Sequence, residues 1–76
     1  VAITAAPDPF RTVVRFTTTA DLVVVSDAAG RAVRRIATRD GAATWDGRDA
    51  GGRVLPAGVY LYRAEGSART GRVVKF

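Results

Sequence analysis

Short apolar runs recur along the chain between clusters of Gly, Pro, Asp and Ser, and within the runs the apolar positions alternate with polar ones. Thr12 to Thr18 places Val14 and Phe16 on one face and Val13, Arg15 and Thr17 on the other, the two-residue period of a half-buried strand. Val1 to Ala6 reads as an entering strand, closed by Pro7-Asp8-Pro9, where two prolines remove backbone donors and stop pairing. Leu22 to Ser26 is apolar on both sides, with Val23 and Val25 opposite Leu22 and Val24, so it is expected at the centre of a sheet or beneath a covered outer face.

Asp27-Ala28-Ala29-Gly30 predicts a tight hairpin turn, because Asp bonds the backbone that follows it and Gly accepts a positive φ. Ala32 to Thr38 returns from that turn with Val33 as its inward anchor, so that Arg31 and Arg35 share the face of Val33 and Arg34 lies opposite. Alanine and arginine between Ala28 and Ala37 also suit a helix, but Gly30 interrupts them and the valines alternate. Asp40-Gly41 is a further turn, Ala42 to Trp45 a short strand, and Asp46 to Gly52 a loop, holding three glycines and two aspartates. Val54-Leu55 is a brief extended piece before the Pro56-Ala57-Gly58 turn. Val59 to Ala64 is a clear strand, with Tyr60 and Tyr62 opposite Val59 and Leu61, and Arg69 to Phe76 closes the chain. The count is seven or eight strands, spaced by turns as in a sandwich or barrel.

Composition narrows the class. Seventy-six residues fit a single domain spanning residues 1–76. An apolar share of 47% with 25% charged residues is ordinary for a folded protein. Valine and threonine are frequent, methionine is absent and leucine occurs only at Leu22, Leu55 and Leu61, a bias toward strands. With no Cys and no His the chain lacks disulfides, thiolate nucleophiles, imidazole bases and the commonest transition-metal ligands. No apolar stretch approaches the roughly 20 residues of a membrane helix. The chain starts at Val1, which predicts a processed protein or part of a longer one.

Five motifs then agree in order: Pro7-Asp8-Pro9-Phe10; Val14-Arg15-Phe16; Val23-Val24-Val25-Ser26-Asp27 with Gly30-Arg31; Trp45-Asp46-Gly47-Arg48-Asp49 with Gly51 and Gly52; and Gly58-Val59-Tyr60-Leu61-Tyr62-Arg63. In that order and spacing the chain resembles the immunoglobulin-like domain of flagellar hook-capping proteins and the related C-terminal sorting domain of type IX secretion substrates, from about Pro7 to Phe76. The resemblance implies an all-β fold, an immunoglobulin-like β-sandwich of about seven antiparallel strands. It also implies a non-catalytic accessory module of an exported bacterial protein, serving in sorting or surface attachment. The expected location is extracellular, at the cell surface or periplasmic. The expected partner is a protein, either secretion machinery or a larger assembly.

The same motifs have physical readings of their own. Trp45, the only tryptophan, is expected in the core with its indole N–H on a carbonyl. Asp27, Asp46 and Asp49 read as turn caps rather than calcium ligands, because they lack the alternating oxygens and terminal acid of an EF-hand loop. A tyrosine opening a late strand suggests the corner hydroxyl bond of immunoglobulin folds. No carboxylate pair divides into acid and base, and no histidine assists Ser26 or Ser67, so neither catalysis, a small-molecule substrate, a metal nor a cofactor is expected.

The formal charge is +5, from eleven arginines and Lys75 against seven acids. Such a surface attracts nucleic acid, anionic lipid or acidic polymers. Arg31, Arg34, Arg35 and Arg39 form its densest stretch, but without interleaved aromatics or a nucleic-acid motif they read as a solvated edge that discourages strand aggregation. A membrane-surface role through the arginines and a glycan-binding role are weaker readings. Leu22 and Val24, with Arg31, Arg34 and Arg35 nearby in sequence, form the candidate partner surface. They also motivate an alternative, a structural subunit that packs on a larger complex or polymerises edge to edge.

Overall fold

A computed structural model describes residues 2–76, and Val1, placed above at the head of the first strand, lies outside the described residues. The described chain forms seven strands: β1 (Ile3–Ala6), β2 (Val14–Thr18), β3 (Leu22–Ser26), β4 (Ala32–Ala37), β5 (Ala42–Trp45), β6 (Gly58–Ala64) and β7 (Gly71–Lys75). Ala28 to Ala37 holds a turn and a strand. Val54 contributes only an isolated bridge to Arg48, so the eighth extended piece is no strand of its own.

The strands divide into a three-stranded sheet in the order β1-β2-β5 and a four-stranded sheet in the order β4-β3-β6-β7, every named pair antiparallel. Alternation fills the space between the sheets. From the smaller sheet come Val14, Phe16, Ala43 and Trp45, from the larger Val23, Val25, Tyr60 and Val73, and Phe10 joins them from the crossing segment. Trp45 and Phe16 are wholly buried, and the aromatic rings touch in tilted or edge-on pairs: Phe10–Trp45 at 5.5 Å, Trp45–Tyr60 at 5.1 Å and Phe16–Tyr62 at 4.9 Å between centroids. Both tyrosines therefore face inward, leaving Val59 and Leu61 on the outside.

One register shift changes the sequence-based picture of β4. Val25 pairs with Arg34, but Ser26 pairs with Ala32, so Val33 is an extra residue in a β-bulge. The bulge breaks the alternation expected for this arm. Val33 and Ile36 both pack on the core, while Arg35 faces away from it and does not share a face with Val33.

The sheet edges are managed differently. After β1 the chain crosses to the larger sheet, where Phe10 bonds the outer edge of β7, its N–H donating to Val74 O at 2.9 Å and its carbonyl accepting from Phe76 N at 2.8 Å. Asp8 Oδ1 accepts from Val74 N at 3.0 Å. Much of the β7 edge is thus already paired, which opposes strand addition there.

Candidate partner face

The outer face of the four-stranded sheet follows from parity. Val23, Val25, Tyr60 and Val73 point inward, so their neighbours Leu22, Val24, Val59, Leu61, Arg72 and Val74 point out. The registers arrange them in rows across the strands. Arg35, Val24 and Arg63 lie side by side on β4, β3 and β6. Ser26, Leu61 and Arg72 form the next row, Val59 pairs with Val74, and Leu22 pairs with Ala37. The result is an aliphatic band with arginines on both flanks. Leu22, Val24, Leu61 and Val74 are half-buried by their neighbours, whereas Arg35, Arg63 and Arg72 are exposed.

Of the five residues singled out by sequence, the structure brings Leu22, Val24 and Arg35 together on this face. Arg31 sits at the end of the β3–β4 turn, 82% exposed, with its Nε 3.6 Å from Asp27 Oδ2. Arg34 turns to the other side of the sheet, where Nη1 reaches Asp46 Oδ1 at 3.3 Å and Arg48 O at 3.2 Å, tying the β4 edge to the loop after β5. Leu61, Arg63 and Arg72 were missed. The outward parity of Leu61 was readable once the tyrosines were placed inside, but nothing local says that β6 lies beside β3.

The turns are built by aspartate. Asp27 Oδ1 accepts from Ala29 N at 3.0 Å and Arg31 N at 2.9 Å; Asp49 Oδ1 accepts from Gly51 N at 2.9 Å and Arg53 N at 3.0 Å. The backbone bonds match as well, Gly30 N to Asp27 O and Gly52 N to Asp49 O, and the two glycines have φ of +89° and +88°. Asp27-Ala28-Ala29-Gly30-Arg31 and Asp49-Ala50-Gly51-Gly52-Arg53 are therefore the same five-residue device used twice, visible in the sequence as a short repeat that the strand pattern obscured. Asp46 Oδ1 accepts from Arg48 N at 3.1 Å. Trp45 Nε1 donates to Arg48 O at 2.9 Å, which anchors this loop to the core.

Tyr60 provides a second anchor. Its hydroxyl donates to Pro56 O at 2.5 Å, fixing the corner that leads into β6. Burial is the main cause that raises its pKa above the ordinary value, and the nearby Asp27 carboxylate adds to the shift. Surface depressions are shallow, from about 230 to about 390 Å³. Among the described residues no three His, Cys, Asp or Glu side chains are grouped as metal ligands would be.

Two antiparallel sheets in this order, closed by a buried tryptophan and a tyrosine corner, define an immunoglobulin-like β-sandwich. The family model for the FlgD Ig-like domain matches residues 3–70, and the chain belongs to that family. A comparison with curated proteins gives no match. Among solved structures the chain is similar to PorZ of Porphyromonas gingivalis, described as an essential bacterial surface component of the type IX secretion system, with a TM-score of 0.73 and 21% identity. The similarity covers 99% of this chain and 11% of the PorZ chain, and at that identity it speaks for the fold alone.

Proposed function

We propose that this chain is a non-catalytic accessory module of an exported bacterial protein, serving to sort that protein or hold it at the cell surface. The observation that carries the reading is the family match over residues 3–70, joined to a shared fold with a segment of a bacterial surface component nine times its length or so. A unit of this size beside a much larger chain fits an accessory role, with any chemistry residing elsewhere in the parent protein. The module works outside the cytoplasm, at the cell surface, in the periplasm or beyond the cell. Its partner is a protein of the secretion or surface machinery.

A structural subunit packing on a larger complex is the second reading, favoured by the aliphatic band on the outer face of the larger sheet. Packing through that face fits the architecture better than growth through the β7 edge, which Asp8 and Phe10 already occupy. Removing the module from its parent gene tests the first reading. The parent protein is then expected to fold and keep its own activity but to disappear from the cell surface and medium. Unchanged distribution after removal leaves only the structural-subunit reading.

A further inference from the structure

The outer face of the four-stranded sheet carries three arginines without a carboxylate partner among the described residues, and of these Arg63 Nη1 donates to Ser67 O at 3.3 Å, leaving its other guanidinium donors for a ligand. Among the described residues the ion pairs within 4 Å are Arg31–Asp27, Arg34–Asp46 and Arg48–Asp46, and none involves Arg35, Arg63 or Arg72. Arg35 and Arg63 flank Val24 from the two adjacent strands. Strands lie about 4.8 Å apart, so the two arginine backbones stand roughly 10 Å from each other across the valine. Between them lies a shallow cavity of about 270 Å³, whose lining includes Val24, Ser26, Leu61 and both arginines. Two guanidinium forks over an aliphatic floor fit one carboxylate bound from both sides, with an apolar side chain set beside it.

We infer that this face docks a segment of a partner protein that presents a glutamate or aspartate between aliphatic side chains, the carboxylate seated between Arg35 and Arg63. This rests on the attachment reading above and names the chemistry of the partner it requires. Three features favour a protein over other anionic partners. An apolar centre with an arginine-bearing rim is the ordinary anatomy of a protein interface. Tyr62 borders the cavity, but its ring packs on Phe16 in the core at 4.9 Å, and Tyr60 is buried against Trp45, so the face offers no free stacking platform for sugars or bases. It also lacks the Trp or Phe that anchor a surface in the lipid boundary. A second copy of the same face is a poor occupant, because its arginines would meet like charges.

The face is small. Four strands by five residues span roughly 300 Å², well under the roughly 800 Å² per partner of a stable interface. Binding through it alone is therefore weak and salt-sensitive, because the Debye length falls from about 10 Å at 0.1 M to about 3 Å at 1 M salt.

The test is an NMR titration of the isotope-labelled chain with the capped heptapeptide Thr-Val-Thr-Glu-Thr-Val-Thr, whose extended form puts Val, Glu and Val on one face, beside its counterpart with Gln in place of Glu. Saturable shifts centred on Val24, Arg35, Leu61 and Arg63 are expected with the Glu peptide, at least tenfold weaker with the Gln peptide. In R35E and R63E variants, whose spectra elsewhere report an intact fold, the Glu peptide should lose at least as much affinity. Phosphatidylglycerol vesicles and heparin serve as competing arms. Absent shifts, shifts away from this face, equal binding of both peptides, or tighter binding of vesicles or heparin would overturn the inference. A silent titration with surface attachment still dependent on the module removes this inference and leaves the attachment reading. A positive titration with attachment independent of the module does the reverse.

Discussion

Tyr60 ties a buried ring to a loop carbonyl, and the two halves of that role can be separated by experiment. Its ring lies against Trp45 at 5.1 Å while its hydroxyl holds Pro56 O. Tyr60→Phe keeps the packing and loses the bond, which should cost about 1 kcal/mol in denaturant unfolding. The pKa raised by burial and by Asp27 has a definite sign. The unfolded chain releases this phenolic proton near pH 10 while the folded chain retains it, so the contribution is complete below that pH. It is lost as pH rises through the higher folded value. Tyr60→Phe should remove that part of the alkaline decline, measured as unfolding free energy from pH 8 to 11, and an identical decline in both proteins would contradict this origin.

Gly71 shows a different use of a single residue. It pairs with Tyr62, and a Cβ there would run into the tyrosine ring, which packs on Phe16 in the core. A methyl at Gly71 therefore acts on the core from a strand position that looks peripheral in the sequence.

Strand positions were legible in the sequence because burial on one face writes a two-residue period in β2 and β6, and because short apolar runs bounded by turn residues mark β3 and β5. Turns were legible through Asp and Gly. The bulge at Val33 was not, since an inserted residue leaves the local composition unchanged and only the pairing of Ser26 with Ala32 exposes it. The proposed partner face was half legible for a related reason. Leu22 and Val24 are outward by parity within one strand, whereas Arg63 and Arg72 join them through pairings between strands remote in sequence. The repeated aspartate turn permits an element-level prediction. Asp27→Ala and Asp49→Ala each lose two backbone-to-carboxylate bonds and should each destabilise the fold by about 1 kcal/mol, lowering the urea midpoint at constant slope. Asn at either position retains Oδ1 and should recover most of the loss; failure of Asn to do so would mean that charge, and not turn geometry, is what these residues supply.

For the whole molecule, the excess of +5 is not spread evenly in its consequences. Arg31, Arg34 and Arg48 are tied to Asp27 and Asp46 near turns and edges, in exposed pairs that add little stability. Arg35, Arg63 and Arg72 frame the aliphatic band instead. A chain of this size is stable by roughly 4–11 kcal/mol at 0.05–0.15 kcal/mol per residue, and Trp45→Ala alone should remove about 3–5 kcal/mol, which abolishes the fold at the lower end of that range and is checked by denaturant unfolding before the variant is used. That variant makes the central claim testable. The 76-residue chain, fused to the end of an inert exported reporter and expressed in the source bacterium, should carry the reporter to the cell surface or medium, and the same fusion with Trp45→Ala should leave it behind. If both fusions, and the reporter alone, distribute alike between cell and surface, the folded module is not the sorting or attachment determinant proposed for it.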